Sequence, residues 1–94
     1  MIETIKVAGT PYVIKYTPDI DKDGLLGLAN FNTREIFINN LYPKEQQEET
    51  LLHEIIHVVN YAYNVGLDED AVDKLARGMY ATIRENPSYK IREN

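Results

Sequence analysis

Both histidines of this 94-residue chain fall in one pentapeptide, His53-Glu54-Ile55-Ile56-His57. Histidines four residues apart lie on one face of a helix, one turn above the other, so both imidazoles can reach a single metal ion. Glu54 sits beside His53 and can reach a water held on that ion without being a ligand itself. Two ligands, an activated water and a base are what a zinc hydrolase needs. The alternative is a pair of core histidines hydrogen-bonded to backbone or carboxylate, with Glu54 a surface acid.

A zinc site needs a third protein ligand and an open position. No other histidine exists and cysteine is absent, so three-histidine sets and cysteine ligands are excluded, along with disulfides and thiol nucleophiles. Asp, Glu or, less favourably, Tyr must serve. Downstream, Asp68-Glu69-Asp70-Ala71-Val72-Asp73 opens a second helix. Glu69 lies three residues before Val72 on its core face and can point at the first helix. Asp68 is an alternative ligand, less favourable because it suits the N-cap. Asp73, one turn beyond Glu69, can accept a hydrogen bond from a ligand histidine and fix its tautomer. Asp70 reads as a solvated first-turn acid.

The elements that must position these groups are predicted as follows. Ile2 to Val7, a turn at residues 8–11, and Tyr12 to Thr17 suggest a hairpin. Residues 18–24 read as a polar loop, Leu25–Ala29 as a short apolar segment, Asn30–Arg34 as its turn, and Glu35–Asn39 as a strand. The first long helix begins at Pro43, is apolar almost all round through Leu51, Leu52, Ile55, Ile56, Val58 and Val59, and is therefore expected to be buried. It ends near Asn64, with Gly66 available as a left-handed cap. In the second helix Val72, Leu75, Ala76, Met79, Tyr80 and Ile83 recur with helical period, and Pro87 marks the end. The fold class is α+β: a small antiparallel or mixed sheet of three to four strands, antiparallel pairing favoured by the short connections, packed on two to three helices. Residues 1–94 read as one domain, with 87–94 either a free tail or a segment folding back over the cleft.

Net charge is −5, an acidic balance that repels phosphate backbones, so no nucleic-acid partner is expected. Neither a signal peptide nor a membrane span is expected, which suggests a cytoplasmic location. Asp19-x-Asp21-x-Asp23-Gly24 matches the first half of a calcium loop, but its twelfth position is Asn30 and a strand precedes it, so it reads as a polar turn.

HExxH followed one helix later by Glu69-x-x-x-Asp73 resembles the gluzincin clan of metallopeptidases. The strand Glu35–Asn39, then Thr50–His57, then the Glu69 helix is similar, more narrowly, to the ImmA/IrrE-like and short phage-associated minimal gluzincins. The resemblance covers residues 35–86 well and the N-terminal hairpin loosely. It implies a zinc-dependent endopeptidase, with Zn²⁺ on His53, His57 and Glu69, Asp73 behind a ligand, and Glu54 as base. Larger members can cleave a repressor in phage or mobile-element regulation. The extra domain of those regulators is not expected here, so their substrate does not carry over. A peptide or protein substrate is expected to extend along Glu35, Ile36, Phe37, Ile38 and Asn39 as an added edge strand. Tyr61 and Tyr80 are candidate oxyanion donors, with core packing the competing reading. The alternative function is a non-catalytic zincin-like regulator that binds a protein partner. The oligomeric state is not legible.

Overall fold

The computed structural model describes residues 3–18, 20 and 24–89. Four strands and two helices follow in the order β1 (Glu3–Val7), β2 (Thr10–Thr17), β3 (Gly27–Asn30), β4 (Glu35–Asn39), α1 (Lys44–Tyr63) and α2 (Glu69–Glu85). The architecture is α+β, with a mixed sheet ordered β1-β2-β4-β3. Asp19, Asp21 and Asp23 of the calcium-like loop, and residues 90–94 of the tail, lie outside the described residues.

Ala8 and Gly9 both adopt positive φ, the backbone a tight hairpin turn needs, and Val7 pairs with Thr10 across it. β3 and β4 form a second antiparallel hairpin in which Gly27 faces Ile38 and Ala29 faces Ile36. Antiparallel pairing fails between the hairpins. β2 and β4 run parallel, Ile14 opposite Ile36 and Tyr16 opposite Ile38. The connection from Thr17 to Gly27 is long enough to carry the chain past the β4 position. β3 therefore forms the outer edge, and β4 turns back into the space beside β2.

Alternation sorts the strands into two faces. Val7, Tyr12, Ile14, Ile36 and Ile38 are buried on the inner face with Val58 of α1, and Leu51 and Ile55 pack against them. A second cluster joins Ile56 and Leu52 of α1 to Val72 and Ala76 of α2. α1 thus lies between the sheet and α2, which explains why its apolar residues spread around so much of the helix. Its burial is nonetheless partial: Thr50, Glu54, Ile56 and Val58 are buried, whereas Tyr61 and Tyr63 are exposed. Among the described residues α2 packs on α1 alone. Its apolar stripe is wider than that contact, so Leu75, Met79 and Ile83 stay largely exposed.

Three asparagines set the joints. Buried Asn39 donates from Nδ2 to the Leu25 carbonyl and accepts from the Leu41 amide, tying the approach to β3 to the approach to α1. Asn64, not Gly66, takes the left-handed conformation that ends α1. Asn60 accepts from the amides of Gly66 and Leu67 and donates to the Leu67 carbonyl, which closes the loop and fixes where α2 begins. Asp68 caps α2 as expected, accepting from the Ala71 amide. No helix among the described residues is long and apolar enough to cross a membrane.

Candidate metal centre

α1 has two faces spoken for, by the sheet and by α2. The residues at 46, 49, 50, 53, 54 and 57 border what is left, an open cleft of about 780 Å³. α1 forms its floor, β3 one wall and α2 the other. His53 and His57 project into it a turn apart, their rings 4.8 Å between centroids.

Glu69 comes to the same place from the first turn of α2. Its Oε1 stands 2.9 Å from His53 Nε2, and its Oε2 stands 3.2 Å from His57 Nε2. One ligand atom from each of the three residues lies within 4.8 Å of the others. Donors about 2.0–2.1 Å from a tetrahedral zinc ion stand about 3.3 Å apart; the His–Glu spacings are close to that value, and the 4.8 Å span of the whole cluster is wider, so the side chains would draw in around an ion. The Glu69 side chain is 64% exposed, against 20% for His53 and 26% for His57, so the cluster opens to the cleft.

Asp73 lies behind His53, with Oδ1 3.2 Å from Nδ1. A proton held on Nδ1 by that carboxylate leaves the Nε2 lone pair for a cation. Asp68 is engaged as the α2 cap. Asp70 pairs with Lys74 on the exposed side of α2.

Glu54 is buried and accepts no hydrogen bond from the described residues. Burial raises its carboxyl above the ordinary carboxylate range; His53 and His57 oppose the rise and Glu69 adds to it. A buried carboxyl without a partner is costly. In a cleft beside a ligand cluster, it is placed to hold and release a proton.

Gly27 makes room for it, a residue the sequence reading passed over. A Cβ at 27 would stand 2.6 Å from Thr50 Cγ2 and 3.3 Å from Glu54 Oε2. A glycine inside a strand marks such close approaches, and that was the available signal. Arg77, also passed over, lines the α2 wall one turn beyond Asp73.

Three expectations change. β4 has β2 on one side and β3 on the other, so Glu35–Asn39 offers no free edge. The edge bordering the cleft is β3. Tyr80 does not line the cleft; its hydroxyl donates to Glu48 at 2.6 Å and accepts from Arg84 at 2.9 Å. Tyr61 also lies outside it, stacked on Phe31 with centroids 4.2 Å apart. No family model, curated protein or solved structure matches this chain.

Proposed function

We propose that the chain is a zinc-dependent endopeptidase of gluzincin type, acting in the cytoplasm. One observation carries the reading: His53, His57 and Glu69 come together in an open cleft, with the carboxyl of Glu54 buried next to them and free of hydrogen bonds from the described residues. His53, His57 and Glu69 would hold the ion, and Asp73 would keep His53 in the ligating tautomer. Zinc, when bound, supplies Lewis acidity and makes water acidic enough to ionise near neutral pH.

The remaining chemistry belongs to the protein. Glu54 accepts the proton of the attacking water and delivers it to the leaving amine nitrogen. Its raised proton affinity suits both halves of that transfer. β3 binds the substrate backbone as an added strand, because Gly27–Asn30 is the sheet edge that borders the cleft.

Metal analysis and a peptide-cleavage assay on three proteins test this. Wild type is expected to bind about one zinc ion per chain and to cleave peptides. Glu54→Ala should keep the zinc and the fold and lose cleavage. Glu69→Ala should lose zinc affinity by about tenfold or more. Cleavage by Glu54→Ala defeats the base assignment. Zinc affinity unchanged in Glu69→Ala moves the third ligand to Asp68 or Asp73.

A further inference from the structure

We propose that Arg77 selects peptides carrying a carboxylate a few residues from the bond to be cut, an inference that rests on the peptidase reading of the cleft. Arg77 follows Asp73 by one helical turn and Glu69 by two, so it shares their face of α2. Among the described residues lining the cleft it is the one permanent cation; the other charged groups there are Glu49, Glu54, Glu69 and Asp73.

Those acids do not neutralise it. Glu69 is engaged by both histidines and Asp73 by His53. Arg77 makes no ion pair with any described residue, whereas its neighbours on α2 are held: Lys74 by Asp70, and Arg84 by Glu45 and Tyr80. A guanidinium presents five N–H donors in a planar fork that matches a carboxylate. Here that fork borders the cleft with no ion pair to any described residue.

A strand added along β3 lies between β3 and α2, and every second side chain faces α2. The eight residue steps from Glu69 to Arg77 rise about 12 Å along the helix. That distance spans about four residues of extended peptide. The carboxylate is thus read within about four residues of the scissile bond. An acidic side chain and a free C-terminus present the same group.

The test is a set of quenched peptides with Glu, Gln or Lys walked through about four positions on each side of the cut bond, each with a free or an amidated C-terminus. Wild-type protein with zinc is expected to favour Glu over Gln in one register by about three- to tenfold in kcat/KM, mostly through KM. Arg77→Gln should bring that ratio to near one, and Arg77→Glu should invert it in favour of Lys. A preference for free over amidated C-termini that Arg77→Gln removes assigns the carboxylate to the terminus; a Glu-over-Gln preference that persists on amidation assigns it to the side chain. Glu-to-Gln and free-to-amidated ratios that are both the same in wild type and the two variants overturn the inference and leave the peptidase reading standing. Cleavage of no peptide by wild type overturns both.

Discussion

Glu54 is where residue-level chemistry and stability conflict. Burial raises the proton affinity of its carboxyl in the folded state. Between the unfolded value near 4.3 and the raised folded one, the native state holds more protons than the unfolded chain. Stability of the metal-free protein therefore falls as pH rises through that interval, and above it the charged carboxylate is a standing cost. Glu54→Gln removes the ionisation and keeps the shape. In chelator at pH 7.5 it should melt higher than wild type, and at pH 3.5 the two melting temperatures should converge; a variant that melts lower at pH 7.5 removes this account. His53, His57, Glu69 and Asp73 were readable from the sequence because helical period alone fixes which side chains share a face. Tyr61 and Tyr80 were not, because seven tyrosines carry no such period and their partners, Phe31, Glu48 and Arg84, are set by how elements dock.

At the scale of elements, the approach of β3 to α1 decides where the base sits. Gly27→Ala drives a methyl into Thr50 Cγ2, a β-branched group with little room to turn. Overpacking of this kind costs about 1–3 kcal/mol. It should also lower kcat by shifting Glu54. Thr50→Ser deletes the methyl that is struck and keeps the hydroxyl that accepts from Gln46. The double variant Gly27→Ala with Thr50→Ser should regain part of the lost melting temperature and kcat, the approach to the Phe37 carbonyl remaining, and purely additive losses would refute the contact. The identity of the edge strand was not legible for a related reason. Alternation in Glu35–Asn39 reports one face buried on α1, but which strands lie beside it depends on the path from Thr17 to Gly27. The wide apolar character of α1 misled in the opposite sense: two partners, a sheet and a helix, read like complete burial.

In the whole molecule the candidate ligands bridge two bodies, α1 on the sheet and α2, which among the described elements rests on α1 alone. An ion bound by the folded chain alone stabilises it by about 2.7 kcal/mol at a free concentration 100 times Kd. For a chain this size each kcal/mol is worth about 4–8 °C. Saturating zinc should therefore raise the melting temperature by more than about ten degrees over protein in chelator, and Glu69→Ala should erase most of that rise. An equal rise in the variant would show that zinc binds elsewhere. The parallel pairing of β2 with β4 has a kinetic consequence. The β1–β2 hairpin, the β3–β4 hairpin and the α1–α2 hairpin are each built from chain neighbours and close at small entropic cost. The β2–β4 seam unites the first two only by looping out the chain between Thr17 and Gly27, so we expect the search for that register to be slower than closure of either hairpin. Gly27 meets Glu54 across β3 and α1, which are near neighbours in the chain, so the cleft can close without waiting for that seam.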